Sequence, residues 1–189
     1  PFRFILNKST GQTGKELIKH LSNRNWSIDI LVFEGIELDS SLTRSLRRVK
    51  RYFYLEDFKK GLKYLLGTRN YDIIIFLAAL PDFKPQRVFR RKMDSAKKYT
   101  IRLIPVKKII KDLRRMQPQS KIIGFKLDQR RKVVSGARRL LKEARLDYVV
   151  ANSIQPQYWA KILGRDYASK VLSTRKEMAK ALVDLLEQR

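Results

Sequence analysis

Apolar residues recur along this chain in two alternating rhythms, and the alternation predicts its architecture. Short runs rich in β-branched and aromatic residues occur at 2–6 (FRFIL), 27–33 (SIDILVF), 49–55, 71–77 (YDIIIFL), 99–104, 121–126 (KIIGFK) and 147–151 (DYVVA). Such runs suit strands, and the nearly unbroken 71–77 suits one covered on both faces. Between them apolar positions fall at helical spacing. A first helix carries Leu17, Ile18 and Leu21; a second, 56–66, carries Phe58, Leu62, Leu65 and Leu66 on one face, with Gly67 expected to stop it. Further helices are predicted over 106–115, over 129–145 with Val133, Ala137, Leu140, Leu141 and Ala144 inward, and over 174–187. Segment 34–45 reads as a loop with a short polar stretch, 78–98 as a long connection and 156–173 as a short hairpin. Repeated βα units predict a mostly parallel sheet with helices on both faces, a Rossmann-like three-layer α/β fold. At 189 residues, 1–189 is expected to form one domain. Ligands then belong at the carboxyl ends of the strands.

One of those ends is rich in candidate chemistry. Residues 7–14 (NKSTGQTG) place two glycines and three hydroxyl side chains between the first strand and the first helix. Glycine permits close backbone approach, and a first helical turn presents unpaired N–H groups to an anion. The spacing GxxG is short, so these residues alone read more readily as an ordinary βα turn than as a ligand loop.

Composition removes several chemistries. There is no Cys, which excludes disulfides, thiolate metal sites and a thiol nucleophile. The one His, His20, falls within the first helix and reads as a surface or packing residue. No apolar run approaches the roughly 20 residues that span a bilayer, and no signal-peptide pattern opens the chain. The expectation is an intracellular protein of the cytoplasm or an organelle matrix.

Charge changes the picture more. Lys and Arg number 43 against 18 Asp and Glu, a formal +25, far above the roughly 2–8 units usual for a small soluble domain. Such an excess points to a polyanionic partner, whether nucleic acid, a ribonucleoprotein or an anionic membrane. The bland alternative is a set of solvated helix faces. The densest basic region is 87–115, so Arg90, Arg91, Lys107, Lys108 and Lys111 are the candidate polyanion contacts.

The strand ends, taken together, carry a resemblance. Arg3, Ile5, Asn7, Ser9, Thr10, Gly11 and Gly14 match in register the loop R-x-I-x-N-x-S-[ST]-G-x-x-G of the phosphopantothenoylcysteine synthetase family, the synthetase half of bifunctional coenzyme A biosynthesis proteins. Ala78, Ala79, Asp82 and Phe83 are similar to its A-A-x-x-D-[FY] segment, and Lys92 stands where its flap lysine would. Gly124-Phe125, then 147–152 (DYVVAN), then 174–181 match its later segments in order. The resemblance covers nearly the whole chain.

What the resemblance implies is a ligase. CTP or ATP with Mg2+ would activate the carboxylate of phosphopantothenate, and cysteine would then displace the nucleotide. Asn7 and Lys92 would be the catalytic residues, Asn7 on the acyl group and Lys92 closing over the phosphates from a flap at about 81–98. Arg3, Ser9, Gly11, Ala79, Asp82, Phe125 and Asn152 would bind nucleotide and substrate. A homodimer is implied, because family sites borrow a flap from the neighbouring subunit. There are departures. The family's upstream G-G-T loop is not within these 189 residues, so the expectation is that the chain is N-terminally incomplete or that 2–6 takes the place of the first strand; Asp94 replaces a second flap lysine; 105–109 (PVKKI) replaces a T-P-D-I turn; Leu140 and Ala144 stand where bacterial members carry lysines. The main alternative is a non-catalytic member of the same fold serving as a basic RNA-binding or ribosomal component. A dinucleotide oxidoreductase ranks last, since no Tyr-x-x-x-Lys pair lies in a suitable helix.

Overall fold

In the computed structural model, which describes residues 9–88 and 92–188, the strand runs and helical stretches fall in the predicted order. The predicted strand 2–6 lies outside the described residues, as do Arg3, Asn7, Arg90 and Arg91. The chain runs α1 (Gln12–Ser22), β1 (Asp29–Phe33), α2 (Ser40–Arg44), β2 (Arg48–Tyr52), α3 (Leu55–Thr68) and β3 (Ile73–Phe76). It continues through β4 (Phe83–Pro85), β5 (Leu103–Pro105), a 3-10 turn (Ile109–Asp112), α4 (Leu113–Met116), β6 (Lys121–Leu127), α5 (Arg130–Glu143), β7 (Tyr148–Ser153), β8 (Trp159–Leu163) and α6 (Arg175–Glu187).

β1 and β2 pair in parallel, and β3, β6, β7 and β8 form a four-stranded sheet in that order. β3–β6 and β6–β7 are parallel; β8 turns back antiparallel to β7. Alternation along these strands divides the core between two faces. Ile73, Ile75, Ile123, Val150 and Ile162 face α1 and α6. Ile74, Phe76, Ile122, Val149 and Ala151 face α3, α4 and α5. On the first face Arg24 ties α1 to α6 through Asp184 at 2.5 Å and Glu187 at 2.6 Å. Thr174 Oγ1 caps α6 by accepting from the Glu177 amide at 3.0 Å.

Four expectations need correction. Gly67 does not stop α3, which continues to Thr68; glycine ends a helix only where the backbone turns left-handed, and Gly67 is not among the positive-φ residues. The strand expected over 49–55 ends at Tyr52, because Asp57 Oδ2 accepts from the Tyr54 amide and starts α3 there. The strand expected over 99–104 is instead the three-residue β5, which pairs antiparallel with β4 outside the main sheet. The helix expected over 106–115 is a 3-10 turn plus one short helix; Lys108 is still extended, so Lys107 and Lys108 precede the helical turn.

Gly124 shows how closely the helical layer approaches the sheet. A Cβ there would lie 2.7 Å from Leu146 Cδ1 and 3.0 Å from Ile110 Cδ1, both buried. Gly124→Val is therefore expected to lower unfolding free energy by about 2 kcal/mol through overpacking. Urea denaturation measures it; a variant as stable as the parent would mean that Leu146 and Ile110 yield freely.

Candidate functional site at the strand carboxyl ends

The parallel register brings three strand ends to one edge. Phe76 lies opposite Gly124, Phe125 opposite Val150, and Leu127 opposite Asn152. Ala79 and Asp82 follow β3 on the connection leaving that edge, so Ala79, Asp82, Phe125 and Asn152 come from strand ends of common direction. Phe125 is half-buried and packs on the α1/α6 side. The Asn152 carbonyl accepts from the Asp128 amide at 3.2 Å, closing the β6–β7 ladder. Asp128 itself is held below the usual carboxylate range, first by the Gln129 amide and then by Lys126 at 3.2 Å.

The glycine loop behaves as its sequence suggests at one point. Gly11 is the residue before α1, with φ 69°, a left-handed conformation in which side chains are strained. An added Cβ would also meet Ile36 Cγ2 at 2.7 Å, so the loop lies directly against the segment after β1. Ser9 and Thr10 are exposed beside it, and among the described residues no side chain caps α1.

The predicted flap takes the form of a hairpin. Its arms are β4 and β5, with Phe83 opposite Pro105 and Pro85 opposite Leu103, and Lys92 is exposed in the connection between them. At its base Asp82 forms an ion pair with Lys108, and its carbonyl accepts from the Val106 amide at 2.8 Å. Lys107 pairs with Asp112 at 2.9 Å and Lys111 with Glu143 at 2.8 Å. Sequence reasoning treated these lysines as free contacts and missed their carboxylates. The signal available was the Lys107-Lys108 pair in the segment replacing the family turn. A groove of about 360 Å³ beside the hairpin base is lined by Leu55, Leu62, Lys84, Pro105, Lys107 and Arg115 among others, and by none of Ser9, Gly11, Ala79, Asp82, Lys92, Phe125 or Asn152. His20 is half-buried, 3.6 Å from Glu16, as a packing residue.

The fold is thus a Rossmann-like α/β sheet with a hairpin, the carboxylate of Asp82 and the Asn152 strand end on its carboxyl side, and a left-handed glycine turn before α1. The chain belongs to the family described as the C-terminal domain of the DNA/pantothenate metabolism flavoprotein, whose model matches residues 1–187. It is 26% identical over 196 residues to the coenzyme A biosynthesis bifunctional protein CoaBC of Thermococcus kodakarensis, covering 100% of this chain and 47% of that protein. Against CoaBC of Borreliella burgdorferi it is 26% identical, covering 98% and 48%. The chain thus spans about half the length of these curated relatives. The crystal structure of the flavoprotein from Streptococcus pneumoniae superposes with TM-score 0.83 at 19% identity, covering 99% of this chain and 92% of that one. A Cab2 mutant in complex with phosphopantothenate-cysteine superposes at 0.78 and 16% identity, covering 98% and 79%. Among the described residues no helix is long and apolar enough to cross a membrane.

Proposed function

We propose that the chain is a phosphopantothenate–cysteine ligase, using CTP or ATP. In the first step a carboxylate oxygen of 4′-phosphopantothenate attacks the nucleotide α-phosphorus and pyrophosphate leaves. In the second the cysteine amine attacks the acyl carbon, the nucleoside monophosphate leaves, and an amide forms with loss of the amine proton. The observation that carries this reading is the family match over 1–187, with Ala79, Asp82, Phe125 and Asn152 set along strand ends of one direction.

Each residue then has a physical task. The Asn7 carboxamide donates to the acyl oxygen without adding charge. Arg3, Ser9 and the Gly11 turn receive anionic oxygens at the start of α1. Phe125 offers an apolar edge to the nucleobase, beside Ala79 and Asn152. Lys92, carried on the hairpin, brings positive charge to the phosphates when the flap closes. Mg2+ needs only one or two carboxylates in addition to nucleotide phosphates and water. Asp82 would supply one such carboxylate. A homodimer and a polyanionic partner for the +25 surface complete the reading.

Pyrophosphate release tests it. The full-length gene product, given Mg2+, phosphopantothenate, cysteine and either CTP or ATP, is expected to release pyrophosphate and form the amide. No release with either nucleotide removes the ligase reading.

A further inference from the structure

In the segment after the hairpin, cations have carboxylate partners: Lys107 and Arg115 reach Asp112, Lys108 reaches Asp82, Lys111 reaches Glu143, and Arg114 reaches Asp147 at 2.6 Å. Helix α5 is different. Its sequence RRKVVSGARRLLKE holds six cations and one acid, and that acid, Glu143, is the one bonded to Lys111. Among the described residues no ion pair engages Arg131, Lys132, Arg138, Arg139 or Lys142, and all five are exposed.

Helical spacing sets these cations in two rows. Arg131, Arg138 and Lys142 share one line, and Lys132 and Arg139 share another about 90° round the helix. Exposed Ser135 lies between the rows, directly opposite the core-facing Val133, Ala137 and Leu140. Within each row, positions seven apart are separated by about 10 Å along the axis.

The chemistry of this face narrows its partner. All apolar side chains of α5 lie on its core side, so nothing is available for insertion among lipid chains. The outward face carries no aromatic ring, which removes the stacking platform that single strands use. Two cation rows flanking a polar line suit two phosphate backbones. The core side of α5 rests on β6, β7 and β8, so only the outward half of its roughly 10–12 Å diameter is open, short of the roughly 8.5 Å depth of the B-form major groove. The A-form minor groove is wide and shallow.

We propose that the outward face of α5 docks on an A-form RNA duplex, its two cation rows meeting the two phosphate backbones across the minor groove. This goes beyond the ligase reading and does not depend on it.

Fluorescence anisotropy with a labelled RNA duplex of about 20 base pairs tests the proposal. Four or more phosphate contacts predict that affinity falls about 100-fold or more between about 50 and 200 mM KCl. Replacing Arg131, Arg138, Arg139 and Lys142 together with Gln is expected to flatten the log–log salt slope by about 3 to 4 units. Thermal melting by circular dichroism should stay unchanged, because exposed charges contribute little to stability. Should the quadruple variant misfold, Arg138→Gln and Lys142→Gln singly should each remove about 0.9 of slope. Lys107→Gln with Lys108→Gln, made in the carboxylate-paired segment, should leave the slope within one unit of the parent. Salt-insensitive binding, an unchanged slope in the α5 variants, equal or tighter binding of a B-form DNA duplex of the same sequence, or capture by anionic vesicles without RNA binding would each overturn the assignment.

Discussion

Arg47→Met is expected to cost about 3 kcal/mol of folding stability, because it strands a buried carboxylate. Asp29 opens β1 with its side chain 1% exposed. Its Oδ2 accepts from the Arg47 guanidinium and from the Tyr71 hydroxyl at 2.7 Å, while its Oδ1 has no partner. The same environment pushes the Tyr71 phenol up to about 12, first through burial and then through the bond to Asp29. Removing one partner of a buried pair typically costs about 3–5 kcal/mol, and Arg47 is partly exposed, which puts this variant at the lower end. Asp29→Asn alone keeps a hydrogen-bonding group without the charge. The double variant should recover much of the loss, giving a coupling energy of at least about 1 kcal/mol by urea denaturation. A single Arg47→Met variant within 1 kcal/mol of the parent would show that water already screens Asp29.

That tie also marks what the sequence could and could not reveal. Strand–helix order was legible because buried strands and amphipathic helices have distinct periods: 71–77 became β3, with alternate residues in two core clusters, and 129–145 became α5 with Val133 and Ala137 buried. The Asp29–Arg47–Tyr71 link joins residues 18 and 42 positions apart, and no local pattern announces it. Boundaries failed where a tertiary partner decided them. Residues 99–105 have strand composition, yet only the last three pair, because their partner is the short β4 and not the main sheet.

The site was legible in proportion to how far backbone geometry alone sets it. Gly11 needs a left-handed φ and close approach to Ile36, and both needs force glycine. Gly124 is required by Leu146 and Ile110 above it. Parallel register then aligned Phe125 and Asn152 with no further information. Charge pairing was not legible. Asp82 and Lys108 stand 26 residues apart and meet because the hairpin folds back on itself. Lys111 and Glu143 meet because α5 runs beside the segment after β5. A count of basic residues treats such lysines as unpartnered cations, although each has a carboxylate within reach.

Asn7→Asp and Lys92→Gln should both suppress ligase turnover, by different physics. In the proposed reaction a carboxylate at position 7 would stand where a neutral amide is to meet an electron-rich acyl oxygen, losing a donor and adding like charge. Losing one donor of this kind costs about 100- to 1,000-fold in rate, and the added repulsion places Asn7→Asp at the upper end. Lys92 lies exposed between β4 and β5, so its substitution removes flap charge without touching the core. Lys92→Gln should therefore lower kcat while leaving urea stability within about 0.5 kcal/mol of the parent. The two variants separate in a single-turnover experiment. Both defects should appear in pyrophosphate release, but that of Asn7→Asp should persist at saturating nucleotide, whereas that of Lys92→Gln should increase as nucleotide becomes subsaturating. Turnover of Asn7→Asp within threefold of the parent would place the acyl group away from the glycine turn and dissolve the role given to the loop before α1.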